Sequence, residues 1–540
     1  MDVAHVLQEM RIGDEAGSCS VLAAFSRIRE RFEAEDAPER RARILEETAG
    51  LLARAPLDRL FPELSDELRG QYLGLVNSFT HHAALPPCDT DSGALCAKSY
   101  ADIPARAQAV SAVLLALSVQ IQKALVDQNS PAVRSLARTL APTFCIFSIT
   151  HLLEQPWTSA ASRRSARELL AAAVALTDSS SVQEMLSGRH EQEQKGALGP
   201  VLDALQPELT KESWKRNQAV KHVFSWVLVQ VGRPWLTEYL EKVFPPSLLI
   251  SDDYHTENKV LGVHCLHHIV LNVPAADLRQ FNRAQVLYHA LFNHLHTSEA
   301  VLVQVVLPCL LDLLSVLEKP PVHSGLPRKP TRFDDVLRHI LTYMEMEHKL
   351  DLRRVYAKNL VLFIERMGIV IVRHLKRLER VIVGYLEVPD APEEKARLSI
   401  LDALQKTLQI AWPRMERRMG SLAQSLLRFL VDVSSESLPI QLKEQLMTQA
   451  SHCLLLLDHC SKGKLQSLLR ELDSSCVSEP VLKCIQKVTA APLLESDSVS
   501  IVHSVFGLSK RTVIFCFIFT KIKIIQPQRD FDLRADLNML

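Results

Sequence analysis

Apolar residues recur every third or fourth position over most of this chain, and the pattern is clearest between Asp252 and Lys319. Val260, Val263, Cys265, Leu266, Ile269 and Val270 fall in the i, i+3, i+4, i+7 rows that bury one side of a helix. Asn272-Val273-Pro274 stops that helix, because proline lacks the amide donor and turns the residue before it away from helical geometry. The spacing predicts a second helix over 284–295 and a third over 300–317, with Thr297-Ser298-Glu299 offering a cap and a first-turn acid. The third is apolar on nearly every side, so it must be covered by the helices before and after it.

The same reading extends in both directions. Helices are expected over 21–32, 40–54 and 66–79, a loop over 85–93, and a long apolar helix over 104–126. Ser130-Pro131 starts the next, with serine as cap and proline at the first helical position. Residues 187–196 are polar and bracketed by glycines, which predicts an exposed, mobile loop. Helices resume near Leu202 and again over 210–231. Residues 320–330 read as a surface loop, after which Thr331 and Asp334 have capping-box spacing, and Asp390-Ala391-Pro392-Glu393 repeats that signal. First helices of successive pairs are placed near Tyr254, Ser298, Lys349, Pro392 and Pro439, at separations of 44, 51, 43 and 47 residues. HEAT and armadillo repeats have a period of about 40 to 47 residues. The fold class expected is therefore all-α, a HEAT/armadillo-like α-solenoid of stacked antiparallel helix pairs with one continuous core. Its organisation is read as an N-terminal helical region over 1–95, helical repeats over 96–205, a C-terminal solenoid over 206–495 and a divergent tail over 496–540.

Composition agrees with a helical array. Of 540 residues 47% are hydrophobic, enough for a long core, while 17 glycines are few for a chain with many tight β-turns. Lysine plus arginine equals aspartate plus glutamate at 62 each, so no overall field draws in nucleic acid or anionic membrane. The eleven cysteines are scattered, several inside apolar faces, as Cys145, Cys309 and Cys453 are, with no Cys-x-x-Cys. Reduced, buried thiols in a cytosolic or nuclear protein are the simpler account. The first residues are charged and carry no apolar signal region. The longest apolar run, 301–317, contains Gln304, Pro308 and Asp312 and is shorter than the about 20 residues a membrane span needs, so a soluble protein is expected. The tail breaks the pattern: residues 511–525 are β-branched and aromatic, with seven apolar residues in a row, an aggregation hazard if exposed. A strand, an unstructured tail or a variant C-terminus would each account for it, and the last is favoured.

The search for chemistry finds little. Glycine-rich phosphate loops, a Gly-x-Ser-x-Gly elbow and His-Glu-x-x-His are all missing, so neither an enzyme nor a cofactor is expected. His264, His267 and His268, with His289, His294 and His296 further on, invite a metal reading. His264 and His268 are four apart, but no carboxylate stands ready as third ligand, and histidines packed within the solenoid are the simpler alternative. Arg373, Lys376, Arg377 and Arg380 are spaced to form one basic stripe, with Leu375, Leu378, Val381 and Ile382 on the apolar side of the same helix. Arg353, Arg354 and Lys358 are candidates to extend it. Such a stripe is either an ordinary solvated face or a docking surface for an acidic segment of a partner. Nucleic acid is not expected there, because no aromatic residues interleave to stack on bases. Trp226, Trp235 and Trp412 sit in helical apolar patterns and are read as core rather than interface.

Val243-Phe244-Pro245-Pro246-Ser247-Leu248-Leu249, then Asp252-Asp253-Tyr254 and Lys259-Val260-Leu261-Gly262-Val263-His264-Cys265-Leu266, resemble the core segment of the second Tel-two-interacting protein family. Residues 373–386 (RHLKRLERVIVGYL) and Leu408-Gln409-Ile410-Ala411-Trp412-Pro413-Arg414 resemble the same family. The likeness covers about residues 1–488, is strongest over 235–414, and stops before the tail. It implies a non-enzymatic helical-repeat scaffold, the smaller interacting subunit of the Triple T complex, bound directly to the larger interacting subunit and with it to the Tel-two protein. It further implies an adaptor that delivers phosphatidylinositol-3-kinase-related kinases to the ninety-kilodalton heat-shock chaperone, in cytoplasm and nucleus, with kinase stability and DNA-damage and nutrient signalling depending on it. The alternative from another class is a karyopherin-like cargo adaptor, although such proteins are usually longer and acidic.

Overall fold

The structure, a computed structural model, describes residues 21–490 apart from 63, 90–94, 129, 190–193, 319–328 and 473–476. The described chain gathers into two compact units. One holds the described residues up to Asp253 together with His264–Pro274, and the other holds Tyr254–Val263 and the described residues from Ala275 onward.

In the first unit, α1 (Val21–Ala34), α2 (Pro38–Arg54), α3 (Asp66–His82), α4 (Ile103–Gln128), α5 (Pro131–Leu152) and α6 (Ala160–Leu176) alternate between two rows. α1 packs on α3 and α3 on α5, while α2 packs on α4 and α4 on α6. The core between rows is aromatic at one end, where Phe25 meets Tyr72 and Phe32 meets Phe79 edge to face with centroids 4.9 Å apart. The Tyr72 hydroxyl is not stranded there, since it donates to the Leu60 carbonyl at 2.6 Å. Pro131 occupies the first turn of α5 as expected, although the Ser130 side chain makes no cap hydrogen bond. The loop after α3 is tied down where Cys88 N–H donates to the Arg216 carbonyl at 2.8 Å.

Four shorter helices follow in this unit: α7 (Val182–Ser187), α8 (Leu198–Leu205), α9 (Val220–Gln230) and α10 (Leu240–Ser251). Two expectations change here. The helix read over 210–231 begins only at Val220, because the Ser213 hydroxyl donates to the Pro207 carbonyl and the Asn217 side chain accepts from Ala219 N–H, holding turns in place of a helix. The stretch read as a mobile loop is a hairpin at its described ends, Gly188–Arg189 pairing antiparallel with Gln194–Lys195. Its glycines serve close approach at one end and a left-handed backbone at the other. A Cβ on Gly196 would lie 2.2 Å from the Leu186 carbonyl oxygen, and Gly188 adopts φ +87°.

The second unit repeats the alternation more regularly. α11 (Thr256–Asn272) enters it with its first half, followed by α12 (Ala275–Arg279), α13 (Arg283–His294), α14 (Ala300–Leu317), α15 (Arg332–Met346), α16 (Leu350–Met367), α17 (Leu375–Leu386), α18 (Lys395–Ala411), α19 (Met419–Ser435), α20 (Ile440–Cys460), α21 (Lys464–Arg470) and α22 (Glu479–Thr489). α14, α16, α18, α20 and α22 pack in succession as one row, and α15, α17 and α19 as the other. Short turns join the rows, so neighbours run antiparallel, and the unit is a HEAT-like α-solenoid. The helices that open its repeats begin at Thr256, Ala300, Leu350, Lys395 and Ile440, within three residues of the positions read from the sequence.

α14 buries one broad face, from Leu302 and Val303 through Leu310 to Leu314, each such side chain stabilising by about 1.5–3 kcal/mol. Val301 and Ser315 are exposed and Gln304, Pro308 and Asp312 half-buried, so the helix is not covered on every side as its composition suggested. Its expected cap is not used, because Thr297 accepts from Glu299 N–H ahead of the helix and Glu299 makes no side-chain cap. Ala97–Asp127 and Ala300–Leu317 are long and apolar enough to cross a membrane by length and composition, and half of the apolar window in each is buried inside the protein. Cys145, Cys309 and Cys453 are buried. The tail over 496–540 and most of the 320–330 loop lie outside the described residues.

Candidate functional site

The basic stripe lies on α17 and the 3₁₀ turn Gly368–His374 that leads into it. Arg373 belongs to that turn, and only Lys376, Arg377 and Arg380 stand on the α-helix, so the four do not form one straight row. Beneath them Leu375, Leu378, Val381 and Ile382 are buried, as the pattern required. Arg373, Lys376 and Arg380 are exposed. Arg377, half-buried, and Arg380 reach back to Glu345 near the end of α15. Arg377 donates Nε and Nη2 to its two oxygens at 3.1 and 2.8 Å, and Arg380 donates Nη2 at 2.6 Å. The Arg377 hydrogen bonds hold the Glu345 carboxyl below its ordinary range against the opposing effect of burial, and Arg380 adds to them.

The proposed extension does not form. Arg353 is buried with its guanidinium 3.9 Å from the centre of the Tyr385 ring, and Arg354 donates to Asp390 at 3.0 Å. Both arginines face inward because α16 lies in the buried row, where a cation needs an aromatic face or a carboxylate. Lys358 is exposed.

Two buried polar devices orient α17. At its start the His374 Nε2 lies 2.8 Å from Asp334, whose other oxygen accepts from Thr331 N–H at 2.8 Å and completes the expected capping box of α15. Burial pushes the Asp334 carboxyl up, but hydrogen bonds from His374 and Thr331 outweigh it and hold the group low. At its end the turn to α18 is built on Asp390, wholly buried, which accepts from Ala396 N–H at 2.9 Å and Arg397 N–H at 3.3 Å. The aspartate thus caps a helix, as the sequence signal indicated, but that helix starts at Lys395 rather than at Pro392. Arg397 is buried too, with its Nη1 donating to both oxygens of Glu436 at 3.0 and 2.9 Å and its Nε 3.5 Å from Glu394.

The histidines are not gathered into a metal site. His268 is buried with its Nε2 2.8 Å from the Val231 carbonyl and its Nδ1 3.3 Å from Asn272. His289 pairs with Gln285, and His296 with the Tyr343 hydroxyl. Among the described residues no three His, Cys, Asp or Glu side chains are placed to hold one metal ion.

Trp412 corrects the core reading. It is 40% exposed in a 3₁₀ turn, Trp412–Arg414, where Pro413 ends α18 and swings the indole off the buried face. Trp226 and Trp235 are half-buried, and the fully buried tryptophans are Trp157 and Trp214. Ile369, in the turn before α17, is 56% exposed. Neither residue was singled out as surface from the sequence, although a tryptophan directly before a proline at a helix end was a usable signal.

The chain matches the Tti2 family over residues 143–393. It is 48% identical over 450 residues to human TELO2-interacting protein 2, covering 82% of this chain and 88% of the relative. The mouse protein of the same name is 47% identical over 451 residues, covering 82% and 87%. Among solved structures, importin beta aligns over 96% of this chain and 60% of its own at 13% identity, with a TM-score of 0.46. On its identity to the human and mouse proteins over most of its length, the chain belongs to the Tti2 family.

Proposed function

We propose that this protein is a non-enzymatic scaffold subunit of the Triple T complex, serving as an adaptor in the chaperone-dependent maturation and stability of phosphatidylinositol-3-kinase-related kinases in DNA-damage and nutrient signalling. The observation that carries the reading is the 48% identity, over 82% of the chain, to a protein named for its interaction with TELO2. A helical stack supports it physically, since successive repeats offer a long surface on which many weak contacts can hold another elongated protein. In this reading the larger interacting subunit binds directly and the Tel-two protein, kinases and chaperone come through it, in cytoplasm and nucleus, with neither nucleic acid nor membrane as a partner. Arg373, Lys376, Arg377 and Arg380 are the proposed partner-binding residues, the first two facing solvent and the others shared with Glu345. Coexpression of the tagged full chain, and of a form ending at Glu495, with the larger subunit tests the reading by size-exclusion chromatography. Coelution at equal stoichiometry is expected for both forms. Failure of both, with the chain soluble and helical, refutes it.

A further inference from the structure

The 3₁₀ turns Gly368–His374 and Trp412–Arg414 occupy equivalent places in successive repeats, each following a helix of the buried row and preceding a helix of the other. α18 packs against the first turn and runs directly into the second. The same edge is stitched together by Glu379 of α17, which accepts from Arg418 and Ser421 at the start of α19. It presents two large apolar side chains to water, Ile369 and Trp412, with Pro413, Arg414 and Arg417 exposed beside the indole and Arg373 and Lys376 following the isoleucine.

The charge on this edge is one-sided. Its acidic side chains already have cations: Glu379 has Arg418, Glu416 has Lys464 at 2.5 Å, and Glu345 has Arg377 and Arg380. Lys376 and Arg414 make no hydrogen bond or ion pair among the described residues, and Arg417 acts on Glu416 only through space. An exposed indole flanked by surplus guanidinium groups matches a partner whose surface is apolar in the middle and anionic at the rim.

We propose that this edge is a docking ledge for an acidic segment of a partner protein carrying an apolar side chain. The apolar anchor covers Trp412 and Ile369, and the carboxylates of the segment meet Arg414 and Arg417 on one repeat and Lys376 on the other. This deepens the scaffold reading, on which it rests for the source of the segment, by moving the contact from one helix to two successive repeats. A nucleic acid is the less suitable occupant, because a single exposed aromatic offers one stacking platform where a strand needs several.

The test titrates the full chain into a fluorescein-labelled glutamate-rich helical peptide with leucine and phenylalanine along one face, at low and high salt, reading anisotropy. A lysine-rich peptide with the same apolar face and a single-stranded oligonucleotide are the comparison probes. The wild-type chain is expected to bind the acidic peptide, more weakly at high salt. Trp412→Ala and the double variant Arg414→Glu/Arg417→Glu are each expected to weaken binding by at least about tenfold with unchanged thermal melts. Failure of the wild type to prefer the acidic peptide, wild-type affinity in both variants, or tighter binding of the oligonucleotide would each overturn the ledge. Coelution with the larger interacting subunit is measured in parallel: its loss in the wild type counts against the scaffold reading alone, and its retention at wild-type affinity in both variants counts against the ledge alone.

Discussion

Replacing Arg397 by methionine is the most informative perturbation of the fold that carries the stripe. The guanidinium is 2% exposed, is bonded twice to Glu436, and stands near Glu394, which is wholly buried. Methionine keeps most of the volume and the contact with the Phe429 ring, so the loss is electrostatic rather than a cavity. Removing the cation from a buried cluster costs about 3–5 kcal/mol, because Glu394 is left with neither water nor cation, although Glu436, 26% exposed, recovers part of its hydration. For a unit of about 200 residues that lowers the melting temperature by roughly 6–20 °C. Glu394→Gln should behave differently. Burial raises the Glu394 carboxyl above its ordinary value, with nearby Asp390 also pushing it up, even though Arg397 is beside it. An acid whose folded-state pKa is raised is destabilising once pH exceeds that value and is relieved as pH falls through it. Glutamine removes that cost while keeping an acceptor for Asp390 N–H, so Glu394→Gln should melt at or above the wild-type temperature near pH 7 and should restore part of the loss when added to Arg397→Met. Circular dichroism melts of the four proteins decide the matter. An Arg397→Met melt within about 2 °C of wild type, or an equal loss from Glu394→Gln, would refute the account of this turn.

Glu345→Gln is expected to cost less than about 1 kcal/mol, since its pairs with Arg377 and Arg380 are near the surface. The Glu345 pKa is held low in the folded chain, so the pair stabilises above the ordinary carboxylate range and fades as pH falls; urea midpoints of variant and wild type should therefore converge as pH falls below that range. His151 is buried against Phe147 with its pKa pushed down to about 4. Its folded pKa is depressed, so it carries no protonation penalty above the unfolded value near 6.5, and stability is lost as pH falls from there toward 4. His151→Phe should remove roughly 2 kcal/mol of the wild-type stability difference between pH 7.5 and pH 5, read from urea melts at both pH values. Gly196→Ala should cost about 1–3 kcal/mol and open the pairing of Gly188–Arg189 with Gln194–Lys195, because its Cβ would strike backbone atoms of Leu186 and Gly188. Amide exchange that stays slow at the hairpin would contradict that.

The repeats were legible because helix phase is a local property. Val260, Val263, Leu266 and Ile269 repeat at helical spacing whatever surrounds them, and all four are buried. The capping signals at Thr331 and Asp390 were legible for the same reason, as short polar side chains bond to amides within a few residues. What spacing cannot show is which repeat a side chain leans toward. Arg377 is four residues from Arg373 in sequence, yet its carboxylate is 32 residues away on α15. Arg353 looked like another surface cation until the Tyr385 ring, on the next helix of the opposite row, gave it a place inside.

The distinction matters most at the ends of helices, where a residue can keep an apolar pattern and still leave the core. Leu408 and Ala411 are buried on α18, and Trp412 is next in line by type, but Pro413 has no amide to extend the helix. The chain tightens into a 3₁₀ turn there, and the tryptophan rotates to the edge that Ile369 occupies one repeat earlier. A solenoid forms such an edge at every turn between rows, and its core is already filled by the two rows of helices. Ile371 and Met415 at those turns point inward and are buried, whereas Ile369 and Trp412 point out, so a large aromatic side chain exposed there beside Arg414 and Arg417 is better accounted for by a partner than by the fold.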